Sequence, residues 1–104
     1  MQHSLFSIRL VPGTEEEYDR RHAQVWPEMV EAMHECGITN STGFRRGTEV
    51  FYYAECDPDP VTCYGRLEPM EVNQRWSEHF KGIVSDRLTE DGHFPFLRVV
   101  SHVD

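Results

Sequence analysis

What this chain lacks narrows it first. Basic residues are scarce: 10 Lys and Arg stand against 18 Asp and Glu, a formal net charge of −8 over 104 residues. A surface of that sign repels phosphate backbones and anionic headgroups, so neither nucleic acid nor a membrane is the expected partner, and a small neutral ligand is. The opening MQHSLFSIRLVPG carries no basic leader before an apolar run. No stretch approaches the roughly 20 apolar residues of a membrane-crossing helix. The expectation is a soluble, cytoplasmic protein. Cysteines are few and odd in number, Cys36, Cys56 and Cys63 with no CxxC pair, which argues against a disulfide framework and a structural zinc site. Six histidines are scattered without HxH or HExxH spacing, so no bound metal is expected. Internal repeats and low-complexity tracts are missing as well. The length suits one domain over 1–104 that can bury a core.

What is present centres on residues 15–29, EEEYDRRHAQVWPEM. On a helix of about 3.6 residues per turn, Tyr18, His22 and Trp26 fall at i, i+4 and i+8, three rings with polar tips on one stripe. An imidazole titrates near neutrality, and two flanking aromatics would shield it from water, so His22 is the candidate acid/base. The competing reading makes the stripe ordinary core and His22 a hydrogen-bonded structural residue. Arg21, beside it, reads as a salt-bridging partner for a neighbouring acid.

Residues 4–11 alternate, with Phe6, Ile8 and Leu10 on one face, as a half-buried strand does. Pro12 and Gly13 end it. Thr14 and Glu17 have the spacing of a capping box, which predicts one helix from Thr14 to the stop at Gly37, kinked near Ala23 to Pro27 because Pro27 has no N–H for the carbonyl of Ala23. A second strand is expected over 38–46, where Gly43 signals a bulge or a close approach of some group to the backbone. Gly47, Thr48 and Glu49 turn the chain into a third strand over 48–56, an antiparallel hairpin. That strand has aromatic residues on both faces and is expected to be central. Asp59 can cap a short helical turn opened by Pro60. A second long amphipathic helix is expected over 70–88, with Trp76, His79 and Phe80 on its apolar side, and a last strand over 93–103, at an edge because of Pro95. The order is that of an α+β, ferredoxin-like βαββαβ fold, an antiparallel sheet with both helices on one face. Apolar residues on the opposite face call for a second copy of the chain or a ligand cavity there.

At this point the residues resemble a known family. Glu17-Tyr18-Asp19-Arg20-Arg21-His22, followed by Val25-Trp26-Pro27-Glu28, is similar to the EYxxRHxxIWPE signature of the L-rhamnose mutarotase family, and Gln74-Arg75-Trp76 resembles that family's QRWW element. The resemblance implies a dimeric α+β barrel enzyme that interconverts the α and β anomers of L-rhamnose or a related deoxyhexose without a cofactor. It implies His22 as acid/base, Tyr18 as a sugar-binding residue and Trp76 as a stacking wall, and it makes a homodimer the expected assembly. Ser41 stands where the family has a tyrosine and Ser77 where it has a second tryptophan. The family's NPDNSPV-like stretch is replaced by Ser85-Asp86-Arg87-Leu88-Thr89-Glu90-Asp91-Gly92. Two missing rings imply a larger pocket with less stacking surface. The expected substrate-binding set is therefore Tyr18, Trp76, Ser41, Ser77, Trp26 and Tyr52.

Mutarotation opens a cyclic hemiacetal and recloses it on the other carbonyl face. The sequence predicts that His22 protonates the ring oxygen while a phenol or an ordered water handles the anomeric proton. The alternative is a cofactor-free monooxygenase or cyclase on the same architecture, acting on a flatter, less polar substrate held among Tyr52, Tyr53 and Trp76. A third reading is a binding module without catalysis, in which His22 is sealed in the core.

Overall fold

The computed structural model describes residues 2–86 and 95–104. Strand β1 (Gln2–Leu10) leads into helix α1 (Glu15–His22), which is followed by a second helix, α2 (Pro27–Glu35). The expected single kinked helix is thus two helices. Trp26, forced by the proline after it out of the helical region, adopts φ −56° and ψ 134°, and Pro27 then opens α2 at its first position, where an N–H has no partner to lose. The expected capping box does not form either. The Thr14 hydroxyl donates to the carbonyl of Val11 at 2.7 Å, and the Glu17 carboxylate accepts from Arg20 and from Arg21. α1 is held at its ends by charge: three glutamates in its first turn, and Arg20, Arg21 and His22 in its last. Gly37, at φ +92°, stops α2 as expected.

Strands β2 (Ile38–Arg46) and β3 (Glu49–Cys56) form the expected hairpin around Gly47 at φ +59°. Its register sets Phe44 opposite Phe51 and Gly43 opposite Tyr52, and slips between Thr39 and Thr42, where Asn40 takes φ +51°. Helix α3 (Pro60–Leu67) begins under the Asp59 side chain, which accepts from the Thr62 N–H at 2.8 Å. Helix α4 (Glu71–His79) is shorter than expected, because Gly82, at φ +85°, lies in the turn that follows it. Of the two residues that continue the helical period, Ile83 ends the turn, its carbonyl accepting from the Val11 N–H at 2.8 Å, and Val84 opens the next strand. Strand β4 (Val84–Asp86) pairs with β1 at Leu10 and Arg9.

The last strand expected over 93–103 is therefore corrected. His93 and Phe94 lie outside the described residues, Phe96 makes a single antiparallel bridge to Phe6, and 97–104 carries no regular structure. Of the departing stretch 85–92, residues 87–92 also lie outside the described residues.

The sheet order is β2-β3-β1-β4 with every neighbouring pair antiparallel, which is the ferredoxin-like arrangement, and β3 is central as expected. On the inner face Phe6, Ile8, Leu10, Val50, Ala54 and Cys56 pack against Tyr18, Met29, Ala32, Tyr64, Leu67 and Phe80. All three cysteines are free and buried in this layer. Among the described residues no helix is long and apolar enough to cross a membrane.

Candidate active site

The α1 stripe lies over the inner face of β3 and ends at the break before α2. That break leaves His22 on the last helical turn, half-buried, beside a cavity of about 1290 Å³ lined by Tyr18, His22, Tyr52 and Trp76 among others. The Tyr52 hydroxyl rises from the sheet to 2.8 Å from His22 Nε2 and 3.5 Å from Nδ1. The Tyr18 hydroxyl is hydrogen-bonded to that of Tyr52. Tyr18, Tyr52 and His22 therefore form one continuous hydrogen-bonded chain.

Aromatic rings close around the imidazole. Phe80 lies 4.9 Å from it between centroids, Tyr18 4.7 Å, and Trp76 5.3 Å with its plane at 84° to the imidazole. These contacts rest on two latches. Arg21 pairs with Glu17 at 2.6 Å and also donates to the carbonyl of His79, tying the C-terminal ends of α1 and α4 together. The salt-bridging role expected for Arg21 is what its geometry shows. Arg45 of β2 grips Asp19 through two bonds of 2.7 and 2.6 Å, tying α1 to the sheet edge.

Burial governs the electrostatics. It pulls His22 down to about 4, against the opposing effect of Asp19, so the imidazole is uncharged near pH 7. The same burial pushes Tyr18 up to about 12 and Tyr52 higher still, so both phenols keep their protons. Asp19 is held below the usual carboxylate range by its hydrogen bond from Arg45. A neutral imidazole touching a protonated phenol is a base beside an acid. This arrangement weighs against His22 as a standing acid and gives Tyr52 a part that the helical stripe alone does not reveal.

The remaining expected site residues divide. Ser41, on the irregular stretch of β2, and Ser77, whose hydroxyl donates to the Asn73 carbonyl at 2.9 Å, both stand on the cavity wall. Trp26 does not line the cavity. It packs edge-on against Trp76 at 4.9 Å and carries the Arg75 guanidinium 5.8 Å above its ring, so its position is that of a support behind Trp76. Two contributors were missed from sequence, Phe80 as the floor under His22 and the Asp19–Arg45 latch. Phe80 was visible on the α4 stripe, but nothing local pairs residues 19 and 45. Among the described residues no group of three His, Cys, Asp or Glu side chains converges to hold a metal.

Along most of its length the chain is similar to known proteins. The sequence profile of the L-rhamnose mutarotase family matches residues 4–96. An L-rhamnose mutarotase of Brucella anthropi is 49% identical over 98 residues, covering 94% of this chain and 92% of that protein. One from Paraburkholderia xenovorans is 31% identical over 103 residues, covering 99% and 94%. Among solved structures, the L-rhamnose mutarotase of Formosa agariphila superposes with a TM-score of 0.78 over the whole of both chains at 19% identity. Tetracenomycin F2 cyclase of Streptomyces glaucescens superposes at 0.62 and 18% identity, covering 100% of this chain and 98% of that one. At those identities the two structures speak to the fold alone.

Proposed function

The chain belongs to the L-rhamnose mutarotase family, a family of sugar isomerases, and from that premise we propose that it interconverts the α and β anomers of L-rhamnose or a closely related deoxyhexose. The observation that carries the chemistry is the 2.8 Å contact between a neutral imidazole and a protonated phenol at the cavity wall. The anomeric and ring oxygens of a hemiacetal sit on one carbon, so their two proton transfers need an acid and a base side by side.

Ring opening then proceeds as follows. His22 takes the proton of the anomeric hydroxyl, the bond between the anomeric carbon and the ring oxygen breaks, and the Tyr52 phenol delivers its proton to that oxygen. Tyr18 donates a hydrogen bond to the Tyr52 oxygen as its negative charge develops. The aldehyde rotates about its bond to the adjacent carbon. On closure the former ring hydroxyl returns its proton to Tyr52, the oxygen attacks the opposite carbonyl face, and His22 gives its proton to the new anomeric oxygen. All protons are restored. Trp76 offers a flat wall to the sugar's C–H face, and Ser41 and Ser77 offer hydroxyls where larger rings would narrow the cavity. The cyclase and monooxygenase alternative draws only on a shared architecture.

Saturation-transfer NMR on L-rhamnose and a panel of aldohexoses tests the reading. Anomer exchange should accelerate with the protein and fall back to the buffer rate with His22→Ala. An unchanged rate in that variant would remove His22 from the reaction.

A homodimer formed through the outer face of the sheet completes the proposal. Phe51 and Tyr53 of β3 stand there beside Leu5 of β1 and Phe44 of β2, the last two 37% and 59% exposed, with no helix over them among the described residues. Such a patch favours a partner surface. Light scattering should return twice the 12.2 kDa chain mass, and Phe51→Glu should return a monomer. A monomeric parent protein would overturn this part.

A further inference from the structure

Among the described glycines only Gly43 and Gly65 lack the positive φ that calls for glycine, and of those two only at Gly43 would a Cβ meet a neighbour, the ring of Tyr52. Gly13, Gly37, Gly47 and Gly82 all take positive φ, which explains them, whereas Gly43 does not. In a strand interior a glycine without such a need weakens the element, so its reason must lie in space. That reason is visible across the hairpin. Gly43 is the register partner of Tyr52, and a Cβ placed on it would meet Tyr52 Cε1 at 2.7 Å, Cζ at 3.2 Å and Cδ1 at 3.3 Å. The Tyr52 ring lies across the bare Cα.

We propose that Gly43 is a positioning residue for the proton-transfer pair: by leaving its Cβ position empty it lets the Tyr52 ring lie flat against β2, and so sets the phenol within hydrogen-bond reach of His22. The inference deepens the mutarotase reading and rests on it for the word catalysis, but its geometric content stands independently. On the other side Tyr52 stacks on Phe6 at 5.5 Å and 26°, so the ring is held between Phe6 and the glycine and cannot slide away from β2 without disturbing the sheet's inner layer. A methyl group at position 43 would lift the ring by a substantial fraction of an ångström, and its hydroxyl is the atom farthest from the hinge at Cβ. The displacement is therefore largest where the contact with His22 is made.

The test uses the full chain with 15N-labelled histidine. Gly43→Ala, Tyr52→Phe and the double variant are compared with the parent by imidazole 15N shifts of His22 across pH and by anomer exchange. Gly43→Ala alone should move the His22 nitrogens toward the values of Tyr52→Phe and slow exchange by about tenfold to a hundredfold, the scale at which a misplacement near 1 Å acts. With phenylalanine already at 52, adding Gly43→Ala should change neither readout further. His22 shifts that stay at parental positions in Gly43→Ala, or move equally in both backgrounds, overturn the proposal. Because the shifts are read without sugar, they decide the positioning claim even if no sugar in the panel exchanges. Should Gly43→Ala melt too low for NMR, the melting temperature of Gly43→Ala in a Tyr52→Leu background decides it. Loss confined to the tyrosine background supports the packing claim, and equal loss in both defeats it.

Discussion

At the scale of single residues, the site is a contest between burial and charge that burial wins. His22 has Asp19 nearby to hold a proton on it, yet its surroundings take it to about 4. The free enzyme's kcat/KM should therefore be flat from about pH 5 upward and fall as the imidazole charges near pH 4. An inflection near 6.5 would mean the ring is far wetter than its packing indicates. Tyr52→Phe removes the acid while keeping the ring, so kcat should drop by roughly 10²- to 10⁴-fold, the range of a lost general acid or base, with KM changing much less. A loss confined to KM would make Tyr52 a binding group only. Tyr18 and His22 were legible in the chain because helical spacing is a local code, which also put Trp26 on the same stripe although it stands outside the cavity. Trp76 entered through the resemblance of Gln74-Arg75-Trp76 to a family element. Tyr52 could be named as a lining residue, but its bond to His22 depends on how α1 settles on the sheet, which no local pattern states. Counting outward from the Gly47–Thr48 turn does put Gly43 opposite Tyr52, so that pairing was within reach of sequence arithmetic.

Among the elements, the strand and turn signals held where one residue dictates backbone geometry. β2 ends and β3 begins where Gly47 demands a turn, and α2 stops before Gly37. The helices were overextended for a physical reason. Apolar period is indifferent to whether the chain breaks, so Ile83 and Val84 continued a helical pattern that Gly82 interrupts, and Pro27 divided what periodicity joined. The capping box over Thr14 and Glu17 failed because Arg20 and Arg21 compete for the same carboxylate. Asp59 had no such competitor. Its carboxylate takes both the Thr62 N–H at 2.8 Å and the Thr62 hydroxyl at 2.9 Å, and the helix it starts carries Tyr64 to the cavity wall. Asp59→Ala should cost about 1 kcal/mol. For a domain of this size that lowers the melting temperature by about 4–8 °C. Thermal unfolding by circular dichroism reads the shift, and anomer exchange measured well below the transition should stay near the parental rate.

For the whole molecule, the same buried imidazole that suits the chemistry links stability to pH. The unfolded chain's histidine takes up a proton near 6.5, and His22 in the folded state does so only near 4. Between those values the unfolded state binds more protons, so its population is favoured as pH falls through the window, and below about 4 the difference no longer grows. A shift of this size corresponds to at most about 3–4 kcal/mol, and the cavity mouth beside the ring reduces it. Other groups titrate nearby: Glu17 and Asp19, both held low by their arginines, contribute stability that is present above the ordinary carboxylate range and lost as pH falls through their own lower values. The two effects separate by subtraction. Urea unfolding of the parent and of His22→Gln, which keeps a polar side chain but cannot charge, should give stabilities whose difference changes between pH 6.5 and 4, the parent losing more, and is constant on either side of that interval. If the difference is constant throughout, the folded imidazole titrates as it does in the unfolded chain, and the base of the proposed reaction would be charged over much of the acidic range.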